Sequence, residues 1–304
     1  MKNSILILAI VLLLVSCQKQ EYSPKYFDFE NAWQRFQLVG KVKELKAYEL
    51  KETRKGQRKV INQSITYTDK GHIKSLTQYN ANADIVSTIN NDFNEKGLME
   101  RQIIENKLEG KTSEAINSYN SNDKLSETII KTDKEQKLTF EYNAQGDILK
   151  RTELGRDTTI RSYKYKYDSE NRIIKRELHI TPSEIVLKST IKYNDKGNRV
   201  ETISDSFFGG QHKWEYQYDN NNRLIVASEY KENKKEKQTE FDKAFNPVKV
   251  QYFRNGKEAR TVKYNYKFDR TGNWIKRETW VSDNGDKSGE FVQSKTEVRD
   301  IKYF

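Results

Sequence analysis

Tyr163-Lys164-Tyr165-Lys166-Tyr167-Asp168-Ser169-Glu170-Asn171-Arg172-Ile173 is the stretch that decides the fold. Tyrosine and lysine alternate with period two, so the rings line one face of a strand and the ammonium groups line the other. Asp168 then opens a turn, because a short carboxylate side chain accepts hydrogen bonds from backbone amides just ahead of it. Asn171 tolerates the left-handed conformation that a type I turn with a bulge requires. Ile173 restarts an apolar face. The stretch predicts a strand, a tight turn and a returning strand.

The same pattern recurs along the chain. An aromatic followed by a polar turn stands at Tyr67, Phe93, Tyr119, Tyr142, Tyr167, Tyr193, Tyr218, Phe241 and Phe268, at spacings of 23 to 27 residues. The next residue is Asn or Asp in eight of the nine, with Thr68 in the other. Four residues past the aromatic, the candidate turn residues are Gly71, Gly97, Asp123, Gly146, Asn171, Gly197, Asn222 and Gly272. Phe245 breaks the rule, and Asn246-Pro247 behind it predicts a left-handed residue displaced by one. An apolar residue restarts most returning strands, and after Tyr193 the restart is expected at Val200. Repeats of this length call for an array of hairpins. Two strands per repeat, one before and one after, predict about 20 antiparallel strands, too many to lie flat. The expected fold is all-β: one long meander sheet, strongly curved or spiral, over residues 42–304. Phe29, Trp33 and Phe36 at helical spacing predict a short helix in residues 27–41 that caps the first open edge.

Tyr167-Asp168-x-x-Asn171-Arg172-Ile173, Tyr218-Asp219-x-x-Asn222-Arg223-Leu224 and Phe268-Asp269-x-x-Gly272-Asn273-Trp274 resemble YD repeats. These occur in rearrangement-hotspot, wall-associated and teneurin-like proteins. The resemblance spans about residues 42–303, with a period longer than the family's. It implies hairpins wound into a spiral sheet, which in large members encloses a toxin. The self-cleavage motif and the cargo domain of those members have no counterpart in this sequence.

The N-terminus carries a different signal. Lys2 precedes an apolar run from Ile5 to Val15, too short to span a bilayer, which takes about 20 residues. It matches the apolar segment of a secretory signal. Leu14-Val15-Ser16-Cys17 resembles the bacterial lipobox. The resemblance implies a signal peptide over residues 1–16, lipid on Cys17, and a tether over 17–26. Gln18 after the cysteine implies an outer-membrane address, on either the periplasmic face or the cell surface. Cys17 is the single cysteine, so an intramolecular disulfide is excluded.

Composition agrees with thin, wet sheet. Hydrophobic residues make up 35% and charged residues 33%, yet aromatics reach 12% with 18 Tyr, which argues against disorder. The net charge of +11 is interleaved with acid, as in Lys234-Lys235-Glu236-Lys237, rather than gathered into a patch, so nucleic acid is not the expected partner. Such charges cover strand faces and edges, with attraction to lipopolysaccharide or acidic glycan as the rival reading.

No catalytic constellation is legible. His72, His179 and His212 lack metal-ligand spacing, and phosphate-binding or nucleophile motifs are absent. The expectation is a non-enzyme without cofactor or metal, a membrane-anchored binding or scaffold module for an envelope glycan or protein. The alternative is an accessory partner of a contact-dependent toxin system. The connections opposite the uniform turns read as longer and more diverse, where binding specificity tends to reside. Candidate binding residues are Phe207 and Phe208 in one such loop, with Trp214, Trp274 and Trp280 on strands.

Overall fold

The computed structural model describes residues 32, 36, 38–54, 56–155, 157–206, 209–283 and 290–304. They form one sheet of 20 strands. In chain order the first ten are β1 (Val42–Thr53), β2 (Gly56–Tyr67), β3 (Ile73–Tyr79), β4 (Ile85–Phe93), β5 (Met99–Asn106), β6 (Lys111–Tyr119), β7 (Leu125–Lys131), β8 (Glu135–Tyr142), β9 (Ile148–Leu154) and β10 (Thr159–Tyr167). The rest are β11 (Ile173–Thr181), β12 (Ile185–Tyr193), β13 (Arg199–Asp205), β14 (Gln211–Tyr218), β15 (Leu224–Lys231), β16 (Lys234–Phe241), β17 (Pro247–Arg254), β18 (Lys257–Phe268), β19 (Trp274–Asp283) and β20 (Val292–Tyr303).

Each strand pairs antiparallel with the next, and β1 also pairs with β20, so the sheet closes into a barrel. This corrects the expected open spiral. The seam is well registered: Leu45 stands opposite Ile301, Ala47 opposite Arg299 and Glu49 opposite Glu297. Closure gives both terminal strands a partner, which removes the unpaired edges that an open sheet would leave. The edge-capping helix falls mostly outside the described residues, and in a closed barrel there is no edge to cap. The described part, Ala32, Phe36 and Leu38, packs on Val42, Leu45, Ile65 and Tyr67 at one end of β1 and β2.

All nine uniform turns lie at that end, the turn rim. The residue four past each aromatic is left-handed, with φ from 58 to 99°. Phe245 is among them at φ 68°, so the conformation does not shift to Asn246. The ladder and Asp242 impose it. Asp242 N donates to Asn246 O at 2.9 Å, and Asp242 Oδ1 accepts the amides of Ala244 and Asn246, each at 2.8 Å. Phe245 stacks on Phe241 with centroids 4.7 Å apart, which offsets part of the strain. The expected slip to Val200 is likewise absent. Tyr193 pairs with Arg199 as Tyr167 pairs with Ile173, so Arg199 itself fills the restart slot.

At the opposite end, the loop rim, β15–β16 and β17–β18 are joined by two-residue turns. Glu232-Asn233 and Asn255-Gly256 have positive φ at both positions, the mirror-image turn that suits a two-residue hairpin. A further copy of the rim turn follows Tyr79: Ala83 N donates to Asn80 O, and Asn80 Oδ1 accepts the amides of Asn82 and Asp84.

Candidate binding cavity and turn rim

Cross-strand partners share a face, so the pairing sorts side chains into two sets. One set runs Tyr163, Leu178, Leu187 across β10 to β12, and Thr202, Trp214, Glu229, Lys237, Tyr252 across β13 to β17. This set holds the buried clusters and converges on one cavity, so it is the concave inner face. The other set is the convex outer face. It carries Lys137–Glu127, Lys192–Glu201, Lys213–Glu215 and Lys276–Glu278 ion pairs at 2.5 to 2.8 Å. Exposed pairs of this kind each contribute little to stability, about 0–1 kcal/mol. Their value here is to identify which face meets water.

The turn rim is tied together by tyrosine hydroxyls. Tyr119 donates to Met99 O, Tyr142 to Leu125 O, Tyr165 to Ile148 O, Tyr193 to Ile173 O, Tyr218 to Arg199 O and Tyr266 to Pro247 O, at 2.7 to 3.0 Å. Each acceptor is the first residue of the preceding repeat's returning strand, beside the bulge where the ladder register shifts. Phe93 has no hydroxyl, and there the Asn91 amide takes Ile73 O at 2.8 Å. Burial raises the phenols of Tyr193, Tyr218 and Tyr266 and keeps them protonated donors; Tyr218 and Tyr266 are pushed up to about 12.

The cavity, about 620 Å³, opens on the inner face of β11 to β19. Trp214, Tyr216, Tyr252 and Tyr264 present rings to it, and Ser189, Ser204 and Thr239 present hydroxyls. Arg176, Arg199, Lys237 and Arg277 line it against a single carboxylate among the described lining residues, Glu229. Lys237 pairs with Glu229 at 2.8 Å, and Arg277 reaches Glu297 through Nε at 2.9 Å. Beside the cavity, Arg299 lies over the Trp274 ring at 3.4 Å. Burial, and then repulsion from Arg277, pull its pKa down to about 10, which leaves it charged at neutral pH.

The candidate residues scatter over this frame. Trp214 lines the cavity and stacks on His212. Trp274 is buried near the turn rim under Arg277 and Arg299. Trp280 stands opposite Lys263 on the outer face. Phe207, Phe208 and Cys17 lie outside the described residues. His72 stacks on Phe93, His179 is 3.7 Å from Glu177 on the outer face, and His212 is on the inner face, so the three histidines are apart. Among the described residues no group of three His, Cys, Asp or Glu is placed to hold a metal ion. The cavity's cations were missed by the sequence reading. Their signal was present at Arg199, a charged residue in a slot that is Ile, Leu or Met in most repeats.

No curated protein matches the chain. Among solved structures it is similar to a porin-like protein from Bacteroides uniformis ATCC 8492, at 11% identity and TM-score 0.35, over 87% of this chain and 99% of that one. A porin-like protein from Bacteroides vulgatus ATCC 8482 aligns at 12% identity and TM-score 0.24, over 88% and 99%. TcdB2-TccC3 without its hypervariable C-terminal region aligns at 11% identity and TM-score 0.32, over 78% of this chain and 19% of that one. Likeness at these levels bears on neither mechanism nor location. The match to a family model is of another order, for it takes in residues 1–181, more than half of the chain. The chain belongs to the uncharacterised protein family UPF0257.

Proposed function

We propose that this chain is an exported, lipid-anchored protein of the outer membrane that acts without catalysis, as a binding barrel held in water beside the bilayer. The observation that carries the reading is the charged outer face, covered by lysines and ion pairs where rings and a cavity lie inside. A barrel that spans a membrane has the reverse order, with an apolar belt facing lipid. Among the described residues no helix is long and apolar enough to cross a membrane, so strands are the only described elements to consider. Outer-face lysines at mid-strand, such as Lys164 and Lys188, would each cost about 2–4 kcal/mol at the bilayer midplane.

The lipobox-like Leu14–Cys17 stretch supplies the anchor in this reading. Val39 enters at the turn rim, where its N–H and C=O bond the Asn273 side chain, each at 2.7 Å. The loop rim therefore points away from the end at which the chain enters. The ligand class is a glycan or an envelope protein. Labelling cells with radioactive palmitate is expected to mark the wild-type chain and not Cys17→Ala. A glycan array and a pull-down from envelope extracts, both with full-length protein, are expected to return a ligand. Absence of label, or of any ligand in both assays, contradicts the anchoring or the binding half respectively.

A further inference from the structure

Arg199 is where the repeat departs from its own rule. Its counterparts include Ile73, Met99, Leu125, Ile148, Ile173 and Leu224, apolar residues that open the returning strand. Arg199 is buried like Met99, Leu125 and Leu224, at 6% exposure, yet its Nε has no hydrogen-bond partner. Leaving a buried donor unsatisfied is destabilising, and more so for a charged group. Stability alone favours Leu or Ile at this position. A costly departure from a local rule marks a functional position, and Arg199 lines the inner-face cavity.

The chemistry of the cavity narrows the ligand. Glu229 and Glu297 are already taken by Lys237 and Arg277, so the field inside stays positive and draws an anion. About 620 Å³ is far more than an inorganic anion fills and lies within the usual range for small-molecule sites. Rings interleaved with hydroxyls suit a pyranose, apolar on its faces and polar around its edge. A lipid tail would call for a lining without those charges.

We propose that the cavity binds an acidic oligosaccharide, with a carboxylate of the sugar on Arg199 and Arg176 and a ring face on Trp214. The assignment rests on the reading of the barrel as a binding module. Guanidinium supplies the planar, charge-assisted hydrogen bonds that select a carboxylate.

The test uses the full chain in detergent micelles with trigalacturonate, sialyllactose, neutral maltotriose and inorganic phosphate as probes. Titration calorimetry and tryptophan fluorescence are the readouts. An acidic sugar is expected to bind, with Arg199→Gln weakening it by about tenfold or more, and Trp214→Phe removing the fluorescence response. If Arg199→Gln does not fold by circular dichroism, Arg176→Gln is expected to weaken binding in the same assay. Equal binding of maltotriose, unaffected by the arginine variants, overturns the acidic assignment and leaves the binding barrel standing. Phosphate binding without sugar binding overturns the oligosaccharide. Binding of neither acidic sugar overturns the proposal, and a ligand from the array then separates that failure from failure of the broader reading.

Discussion

Asp219 shows what one turn residue contributes. Its Oδ1 accepts the Arg223 amide at 2.9 Å and its Oδ2 the Arg223 Nε at 2.8 Å. These backbone and side-chain hydrogen bonds hold its carboxyl below the usual range. A carboxylate whose pKa is depressed on folding adds stability above its unfolded pKa of about 3.9, and that stability is lost as pH falls through the folded value. Asp219→Asn keeps the Oδ1 acceptor and removes the charge. Thermal melts from pH 6 down to about pH 3 are therefore expected to show a shallower loss of stability in the variant than in wild type; parallel losses contradict this. Gly197 tests the backbone half of the turn. At φ 77° a valine there is expected to cost about 1–2 kcal/mol in a denaturant titration, while Lys196→Val beside it costs far less. Equal costs contradict the register. Residue identity predicted eight left-handed positions, because Gly, Asn and Asp are the types that adopt that conformation readily. Phe245 was illegible, since there the ladder and Asp242 set the conformation and the side chain compensates by stacking. Arg199 was read as a slip for a similar reason: a pattern of residue types records what usually fills a slot, not which slot the hydrogen bonds make.

Between elements, the recurrent tyrosine acts as a staple as well as a core ring. In six repeats a tyrosine hydroxyl satisfies a carbonyl beside the bulge of the preceding repeat and so completes its neighbour's hydrogen bonding. Tyr142→Phe and Tyr218→Phe are each expected to cost about 0.5–1.5 kcal/mol by denaturant titration. Tyr252→Phe, with its side chain 40% exposed in the cavity, is expected to leave stability unchanged. Equal effects at all three positions contradict the staple. The alternation that placed these rings on one face was visible in the sequence. The hydroxyl acceptors were not, because they lie 17 to 20 residues back on a neighbouring strand. The turn after Tyr79 was also legible in principle, as Tyr79-Asn80 followed by an apolar restart at Ile85. Ala83 at the left-handed position hid it, since alanine is not a residue type that announces that conformation.

For the whole molecule, strand number and connectivity followed from the repeat, whereas closure did not. Alternating faces look the same in an open spiral and in a barrel. The deciding contacts join Leu45 to Ile301 and Ala47 to Arg299, at opposite ends of the chain. Cysteines at Lys46 and Asp300, paired on the outer face across the seam, are expected to bridge with a short bismaleimide and give a faster-migrating band; failure to bridge contradicts closure. The cavity followed from closure too, since the inner faces of β11 to β19 share it only because the sheet curves. A water-exposed barrel held to the membrane by lipid alone is tested by exporting residues 18–304 behind a signal peptide that adds no lipid and fractionating the cells. Recovery in the soluble periplasmic fraction is the predicted result, and recovery in the outer membrane, resistant to alkaline carbonate washing, contradicts it.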